Sequence, residues 1–340
     1  MSKTFLGCVV FCLVLGVAAS GGYSQGKISG YMFGDYYYVA QNHDPTIEGR
    51  NGLWFRRIYF TYDHGLSDEF SVRFRLELSS AGNFINGVTL QPFMKDGYLK
   101  WSKSGHSIIL GLSPTPTFEY IEEFWGYRAI EKTPADLYKF GSSRDLGIAF
   151  KGTLGAAKKV RYHFMLANGG GNNGADTNKG KKALLSLGYQ LTSALYVEVY
   201  GDWEERPGDT NRYTWQGFLG FQKEKYRLGA QILQQTRQTP AADLKLEVAS
   251  FFAAAQLREK LWGYVRFDHG FDPFLDGPTI DYLPFDNTAE ANFVIAGVDF
   301  EPVKQVHIMP NIEYTFYQET AGLSPDADAI PRLTFYYIWK

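Results

Sequence analysis

The sequence has very little cysteine, very little net charge and no long hydrophobic run beyond its N-terminal segment. Its two cysteines are Cys8 and Cys12, so the rest of the chain can form neither a disulfide framework nor a thiolate metal site. The lack of a later run of about 18 apolar residues excludes a transmembrane helix. The formal net charge is −2, and a nucleic-acid partner, which needs a strongly basic face, is therefore not expected.

The N-terminal segment has the three parts of an export signal. A positively charged start is followed by an apolar run from Phe5 to Val17 and then by the small residues of "AAS". We therefore expect residues 1–20 to be a signal peptide and residues 21–340 to form one domain of an exported protein. The alternative is a retained membrane anchor, which is less favoured because the run is shorter than the roughly 20 residues that a spanning helix needs.

Alternation of apolar and polar residues is the main pattern in the rest of the chain. In "FSVRFRLEL" (Phe70 to Leu78) the first residue and every second residue after it are apolar, and the residues between them are polar or charged. The stretches "VRYHFMLA" (160–167) and "LYVEVYGDWE" (195–204) repeat this alternation. A period of two places successive side chains on opposite faces of a β-strand. Each strand is therefore expected to have one apolar face and one hydrophilic face.

Turn-rich segments divide the chain into about sixteen such strands, an even number that is typical of membrane barrels. Their predicted first residues are Lys27, Leu53, Phe70, Phe93, Ser107, Arg144, Lys159, Lys182, Ala194, Tyr213, Tyr226, Lys245, Leu261, Ala291, Val306 and Arg332. Long and short connections alternate between the strands, which places all the long ones at one rim. Aromatic residues make up 16% of the chain and gather near the predicted strand ends, as they do at membrane interfaces.

These patterns predict an all-β fold, a transmembrane antiparallel β-barrel of about 16 strands. Every backbone polar group must be paired within a bilayer, so a closed barrel is the membrane-spanning structure that remains for an exported chain without apolar helices. The alternative is a soluble β-sandwich, in which the apolar faces would form a protein core and the charged faces would meet bulk water.

A barrel of this size encloses water, so the hydrophilic strand faces are expected to line a pore. The predicted basic lining residues are Arg57, Arg73, Arg75, Arg161, Arg227 and Arg266, and the acidic ones are Glu77, Glu198, Asp202, Glu204, Asp268 and Glu313. Their alternative role is to form ion pairs that merely satisfy the wall, since Arg75 and Glu77 lie two residues apart on one face. Arg56 lies on the lipid-facing phase, where a cation costs about 2–4 kcal/mol at mid-membrane, so we expect it at the rim or at a subunit contact.

The longest connection, Ser113 to Ser143, is the third external loop by position, and a loop of this length usually has a function. A short helix is expected after Thr117, whose hydroxyl could cap it, with acidic residues in its first turn. We predict that the loop folds into the lumen and narrows it, because opposed charges across confined water act strongly on passing ions. The predicted constriction residues are Glu119, Glu122, Glu123, Arg128, Glu131 and Asp136. The alternative is a loop that packs its aromatic residues over the rim and leaves its acidic residues solvated.

Two segments of the chain have a distinctive strand pattern. "SRDLGIAFKG" (143–152) reopens a strand after a long loop, and "IAGVDFEPVKQVHIMPNIEYTFY" (295–317) is a hairpin with a "PVKQ" turn. In these segments the chain resembles the outer-membrane porins related to the phosphate-selective porin O and P group. The resemblance implies a sixteen-stranded homotrimeric porin with its third external loop in the lumen. Phosphate selectivity in that group depends on basic residues concentrated along the channel, whereas this wall mixes both signs. The final "YIWK" also differs from the terminal aromatic residue that is usual in barrel-assembly signals.

The expected function is an outer-membrane porin, a water-filled channel for passive diffusion of small hydrophilic solutes and ions. An anion- or phosphate-selective porin is the alternative channel. An outer-membrane barrel hydrolase is less favoured, because the six histidines form no H-x-x-x-H pair and the chain has no G-x-S-x-G elbow. A secreted glycan-binding β-protein, which would use the aromatic residues, is a third class.

The expected location is the outer membrane of a Gram-negative-type bacterium. The expected partners are outer-membrane lipid, further copies of the chain in a homotrimer, and small hydrophilic solutes or inorganic anions. No catalytic residue, cofactor or metal is predicted. Binding of Ca²⁺ through clustered oxygens at Asp176 and Asn178, or in the segment from Asp272 to Asp281, stays open as a minor alternative.

Overall fold

The computed structural model describes residues 26–84, 89–172, 176, 178–319, 322 and 325–340. The predicted signal peptide lies outside these described residues. Among them, no helix combines the length and the hydropathy that crossing a lipid bilayer requires.

Sixteen antiparallel β-strands form one closed barrel within the described residues. They are β1 Lys27–Tyr38, β2 Asn51–Gly65, β3 Phe70–Ser79, β4 Gln91–Lys103, β5 His106–Pro114, β6 Arg144–Leu154, β7 Val160–Ala167, β8 Lys182–Gln190, β9 Leu195–Glu204, β10 Arg212–Lys223, β11 Tyr226–Arg237, β12 Leu244–Arg258, β13 Leu261–Gly270, β14 Ala291–Val303, β15 Val306–Tyr317 and β16 Asp328–Trp339. Each strand pairs with its neighbours in sequence, and β1 closes the ring against β16. The predicted fold is confirmed, and the largest error in a strand start is at β16, which begins at Asp328 instead of Arg332.

The connections alternate between short turns at one rim and longer segments at the other, as predicted. The turn between β4 and β5 consists of Ser104 and Gly105, which both have positive φ. A two-residue type I′ hairpin needs this conformation at both positions. Two connections at the opposite rim are much longer than the rest, namely residues 115–143 after β5 and residues 271–290 after β13. The first contains two short helices, α1 Glu119–Trp125 and α2 Pro134–Leu137.

The outward face of the barrel is apolar, which agrees with the alternation in the sequence. On β3, Phe70 and Phe74 are 41% and 38% exposed, whereas Glu77 on the inward face is 2% exposed. On β9, Val199 is exposed and the following Tyr200 is buried. Because the strands pair around the whole circumference, these exposed apolar side chains form a continuous outer surface.

The inward face differs from the prediction on one side of the barrel, where it is apolar instead of hydrophilic. Phe218, Leu233, Phe252 and Ile295, on strands β10, β11, β12 and β14, are all buried inside the barrel and belong to one hydrophobic cluster. The physical reason is that these strands face packed residues of the two long connections and not water. Part of the barrel interior is therefore a protein core.

A β-bulge in β2 turns two consecutive arginines into the barrel. Phe33 of β1 pairs with Arg57 and the next residue, Gly34, pairs with Phe55, so Arg56 is the extra residue. A bulge breaks the strict alternation of faces, and Arg56 is 2% exposed and ion-paired inside the barrel. The prediction that Arg56 lies at the rim or at a subunit contact is wrong for this reason.

A second bulge in β4 has the same effect. Arg75 of β3 pairs with Asp96 and the next residue, Leu76, pairs with Met94, which leaves Lys95 as the extra residue. Lys95 and Asp96 are both buried on the inward side. The two bulges therefore place additional charged side chains on the interior wall next to the 115–143 connection.

Candidate functional site

The 115–143 connection, called here the 115–143 loop, crosses the barrel interior. Amide groups of two glutamines hold its two ends to the wall, since Gln216 on β10 donates to the carbonyl of Thr117 and Gln235 on β11 donates to that of Phe140 at 2.7 Å. Arg266 on β13 donates to the carbonyl of Lys132 in the middle of the loop. Strand β13 lies halfway round the barrel from β5, where the loop begins. A loop that contacts both sides through buried groups must span the lumen.

One face of α1 is apolar and packs against the wall. Ile121 and Trp125, one helical turn apart, are 1% and 0% exposed and lie on the same side of the helix. The Trp125 ring centroid lies 5.3 Å from that of Phe252, and the Phe124 centroid lies 5.4 Å from that of Phe218. Burying side chains of this size stabilises the packing by roughly 1.5–3 kcal/mol each, so α1 is fixed to β10 and β12.

The beginning of α1 differs from the prediction. The N-cap residue is Phe118, and no side chain caps the helix. The Thr117 hydroxyl lies 3.0 Å from the hydroxyl of Tyr200 on β9, so it joins the loop to the wall instead of capping the helix. Glu119 and Glu122 occupy the first turn, where the helix dipole favours negative charge.

The other face of α1 borders open space inside the barrel. A cavity of about 380 Å³, called here the central cavity, separates α1 from the wall formed by β1 and β16. Its ionisable and aromatic lining includes Tyr31, Phe33, Glu119, Glu122, Glu123, Arg128, Arg144 and Tyr336. The helix therefore presents carboxylates across the cavity from tyrosine rings, and the guanidinium groups of Arg128 and Arg144 also border the cavity.

Glu119 is a fixed negative charge at this surface. Its carboxylate lies 2.6 Å from Nζ of Lys151 on β6 and 3.1 Å from Nδ1 of His163 on β7. Burial alone would raise the pKa of Glu119, but the hydrogen bond with His163 and the charge of Lys151 lower it to about 2. The carboxylate is therefore ionised throughout the physiological pH range.

Glu122 and Glu123 behave in the opposite way. Desolvation inside the barrel raises the pKa of both side chains, and the neighbouring Glu119 charge adds to the effect on Glu123. Arg128 partly offsets this for Glu122, because its Nε lies 3.3 Å from the Glu122 carboxylate and its Nη2 lies 3.7 Å from that of Asp136. These two glutamates lose their charge at a higher pH than Glu119 does.

The wall formed by β2, β3, β4 and the start of β6 is rich in basic side chains. Glu77 is ion-paired with Arg57 at 2.6 Å and with Lys95 at 2.9 Å, while Asp96 pairs with Arg75 at 3.3 Å and contacts Arg144. The inward-facing basic residues of this wall are Arg57, Arg73, Arg75, Lys95, Lys100 and Arg144, and its inward-facing acidic residues are Asp63, Glu77, Asp96 and Asp145. The wall thus carries excess positive charge and α1 carries excess negative charge.

Two of the predicted residues belong to a buried charge network instead. Arg332 on β16 lies 2.7 Å from Glu313 and 3.0 Å from Asp35, and Arg56 contacts Glu131 of the loop. All five side chains in this network are at most 2% exposed. Glu131 therefore holds the loop against the wall, whereas Glu313 pairs with arginines of the wall itself. Glu131 does face a wall arginine, as predicted, but the prediction that Glu131 and Glu313 border a water-filled lumen is wrong. The cause is the apolar packing of the loop around them, which excludes water.

Arg266 and Asp268 also form a buried pair. They are 1% and 0% exposed, and Tyr138 of the loop donates to Asp268 at 2.8 Å. Their predicted exposure to the lumen is wrong for the same reason, because the loop covers β13. The alternative weighed from the sequence, ion pairs that satisfy the wall, describes these residues correctly.

Three other predicted residues lie along the loop and its flank. Arg161 stacks over the Tyr120 ring at 4.2 Å, and Arg227 stacks over Tyr127 at 5.0 Å. Glu198 is 2% exposed and accepts the hydroxyl of Tyr196 at 2.9 Å. Arg161 and Arg227 therefore contact the sides of the loop, and none of these three residues is part of the central cavity lining.

Asp202 and Glu204 lie in a different part of the interior. Lys182 on β8 sits between them, 3.3 Å from Asp202 and 3.4 Å from Glu204. Glu204 borders a cavity of about 610 Å³ on the long-connection side of the loop, together with Arg206 and Arg212. The central cavity and this second cavity lie on the two sides of the 115–143 loop, whose Thr115 borders both.

The 271–290 connection also folds inward, which the sequence reading missed. Tyr282 donates its hydroxyl to the carbonyl of Ser80 at 2.8 Å, and Arg332 donates to the carbonyl of Tyr282. Phe274 stacks on Tyr138 of the 115–143 loop with ring centroids 3.9 Å apart. The sequence signal was the run of aromatic and aliphatic residues in "FDPFLDGPTIDYLPF", which is too apolar for a solvated loop.

The residues of the central cavity that the sequence reading missed are Tyr31, Phe33, Arg144 and Tyr336. Arg144 is the first residue of β6, at the end of the 115–143 loop, where strand alternation alone does not decide the direction of its side chain. Tyrosines on an inward face look like ordinary wall residues in a sequence. Among the described residues no group of three potential metal ligands occurs, and Asp276, in the segment considered for calcium, is paired with Arg237 at 3.0 Å.

The barrel is similar to solved structures of outer-membrane porins. An anion-selective porin from Comamonas acidovorans matches with a TM-score of 0.69 at 13% identity, over 93% of this chain and 99% of that one. OmpF of Salmonella typhi matches with a TM-score of 0.65 at 12% identity, over 92% of this chain and 97% of that one. OmpT of Vibrio cholerae, in its trimer form, matches with a TM-score of 0.64 at 9% identity, over 93% of this chain and 99% of that one. No family model and no curated protein matches the chain. Similarity at this level of identity shows the fold.

Proposed function

We propose that the protein is an outer-membrane porin, a water-filled channel through which small hydrophilic solutes and ions diffuse passively. The observation that carries this proposal is the central cavity, in which water-accessible charged groups occupy the interior of a barrel whose outer surface is apolar. Soluble proteins rarely expose a continuous apolar surface, and here that surface extends around the full circumference of the barrel. A bilayer accounts for both surfaces at once.

The opposed charges support a channel without strong ion selectivity. Cations passing the central cavity meet Glu119, Glu122 and Glu123 on α1, and anions meet Arg128 and Arg144. Charge on a lumen face tunes selectivity, and here neither sign dominates both sides of the passage.

Anion preference is the second candidate, and the excess of basic residues on the β2–β4 wall favours it. The structurally similar porin from Comamonas acidovorans is described as anion-selective. The three carboxylates of α1 oppose this preference. Phosphate selectivity is a narrower form of this second candidate. The sequence resemblance to the porin O and P group supports it, as it supports membership of that group.

A passive channel is favoured over an enzyme, because most ionisable groups of the central cavity are held in ion pairs, such as Glu122 with Arg128 and Arg144 with Asp96. Glu119 is held ionised by Lys151 and His163, whereas a general acid or base must change its protonation state near neutral pH. We also propose a homotrimer, in line with the trimer form of the similar OmpT from Vibrio cholerae.

The test is conductance of the purified, refolded protein in planar lipid bilayers. Stepwise current increases in KCl are expected, with a small reversal potential under a KCl gradient. A large potential of the sign set by chloride would support the anion-selective candidate instead. A folded protein that gives no conductance steps and remains soluble without detergent would contradict the porin proposal. Migration of unheated samples on gels reports both barrel folding and the trimer.

A further inference from the structure

We propose that the central cavity is a binding site for a neutral, hydroxylated ring of monosaccharide size that has at least one apolar face. This inference rests on the proposed channel function and adds a substrate class to it. The ligand would bind between α1 and the β1–β16 wall while crossing the barrel.

The charges of the central cavity are largely paired before any solute arrives. Glu119 is paired with Lys151, Glu122 with Arg128, and Arg144 with Asp96 of the wall. A free inorganic ion would face groups of its own sign as well as groups of the opposite sign. A neutral solute is not repelled by groups of either sign, so the paired arrangement favours it over a cation or an anion.

Paired charged groups still have hydrogen-bonding capacity left. An ionised carboxylate can accept about four hydrogen bonds and a guanidinium group has five N–H donors. Glu123, which has no ion-pair partner among the contacts of the described residues, adds a further acceptor at the cavity surface. A hydroxyl group both donates and accepts, so adjacent hydroxyls of one solute can bridge Glu122 and Arg128 without separating them.

The opposite side of the cavity supplies flat apolar surface. Tyr31 and Tyr336 line it from neighbouring strands, with ring centroids 6.0 Å apart and ring planes perpendicular. Tyr31 is further supported by Tyr59, whose centroid lies 4.5 Å away. Sites with this combination, rigid aromatic surface plus a few converging polar groups, are typical of small-molecule binding. The C–H face of a sugar ring is the matching surface on a neutral polyol.

The size of the cavity accommodates a ring of monosaccharide size. Its volume of about 380 Å³ lies near the lower end of the roughly 300–1,000 Å³ found for small-molecule pockets. It opens to the rest of the lumen, so binding would be weak and reversible, as conduction requires.

The test compares D-glucose with D-glucitol, its open-chain counterpart, in single-channel recordings. Glucose is expected to reduce the current saturably, whereas glucitol should reduce it only in proportion to the bulk conductivity. Tyr336→Ala should raise the half-blocking glucose concentration at least fivefold. The matched control is Tyr337→Ala, which removes the next ring on the outward face, where Tyr337 is 38% exposed, and should change nothing.

Three results would overturn the inference. Equal effects of glucose and glucitol on a conducting channel would show that the proposed binding site does not exist, and would not contradict the channel function. A saturable block that is unchanged in both Tyr336→Ala and Tyr31→Leu would place binding elsewhere. The absence of any conductance would remove the proposed function itself. Tyr31→Leu, which keeps more of the buried volume, serves if Tyr336→Ala does not give a heat-modifiable folded barrel.

Discussion

Arg56 and Arg57 are consecutive in the chain, yet both side chains point into the barrel and pair with carboxylates on different elements. Arg56 contacts Glu131 of the 115–143 loop, and Arg57 lies 2.6 Å from Glu77 of the adjacent strand. The β-bulge at this position makes the arrangement possible. One arginine therefore anchors the inserted loop, while its neighbour belongs to the basic wall.

Replacement of Arg56 by methionine is expected to destabilise the protein by about 3–5 kcal/mol, because it leaves the buried Glu131 carboxylate without its ion-pair partner. Asp35, Glu131 and Glu313 would remain in a region that is at most 2% exposed. The measurement is the temperature at which the compact band of unheated samples disappears on gels.

Arg57→Met is the matched control for Arg56→Met. Glu77 keeps Lys95 as a partner at 2.9 Å, so the loss of stability should be smaller. Removal of one positive charge from the wall should instead move the reversal potential towards cation preference. Equal unfolding temperatures for the two variants would contradict the division of roles between these arginines.

Acidification is expected to move the ion preference of the channel towards anions. Desolvation raises the pKa of Glu122 and Glu123 above the ordinary value of 4.5, so these two carboxylates begin to lose charge at a higher pH than usual. Glu119, with a pKa of about 2, stays ionised. The reversal potential under a KCl gradient, recorded between pH 7 and pH 4, reports the change.

The double variant Glu122→Gln with Glu123→Gln should show the acidic ion preference already at pH 7 and little further change on acidification. Glu119→Gln is the comparison, because its titration lies below this range and the pH dependence should persist. A shift of the same size in the double variant as in the unmodified protein would assign the pH effect to other groups.

A histidine contact is expected to make the β1–β2 connection less firmly held at alkaline pH. The backbone N–H of His43 donates to Asp328 at 2.7 Å, and its Nδ1 lies 2.9 Å from the same carboxylate. Burial would lower the pKa of His43, but the hydrogen bond and the charge of Asp328 raise it above 6.5. The stabilisation is therefore complete below pH 6.5 and is lost as the pH rises through the elevated value.

Hydrogen exchange of residues 39–50 at pH 6 and pH 9, corrected for the intrinsic rate, measures this contact. Protection should be weaker at pH 9 in the unmodified protein and nearly independent of pH in His43→Gln. His269→Gln is the control, since His269 bonds to Asn292 and not to a carboxylate. Equal pH dependence in His43→Gln and the unmodified protein would show that another group is responsible.

The strands were predictable because their signal is local. Alternation places Phe74 and Arg75 on opposite faces whatever the partner strand is, and turn residues mark where each strand ends. Bulges have no such local signal, since Arg56 becomes the extra residue only through its register with Phe33 and Gly34. The sequence therefore predicted sixteen strands correctly and assigned Arg56 to the wrong face.

The site was predictable in composition but not in arrangement. Glu119, Glu122 and Glu123 could be placed on one helix in a long loop, but their distance from Lys151 depends on contacts between residues far apart in the chain. The buried network around Glu131 could not be predicted, because the sequence alone does not show whether a glutamate is solvated or is ion-paired with Arg56. Only packing of the loop, through residues such as Trp125, decides between these outcomes.

Trp125→Ala is expected to loosen the 115–143 loop without opening the barrel. The Trp125 side chain is fully buried, its Nε1 donates to the carbonyl of Glu131 at 2.9 Å, and its ring packs against Phe252. Loss of such a side chain costs about 3–5 kcal/mol, and the strand ladder does not depend on it. Single-channel currents should become noisier and should close at lower voltage, whereas Trp203→Ala, on the outward face, should leave them unchanged. A folded variant with currents like those of the unmodified protein would mean that the apolar face of α1 does not hold the loop in place.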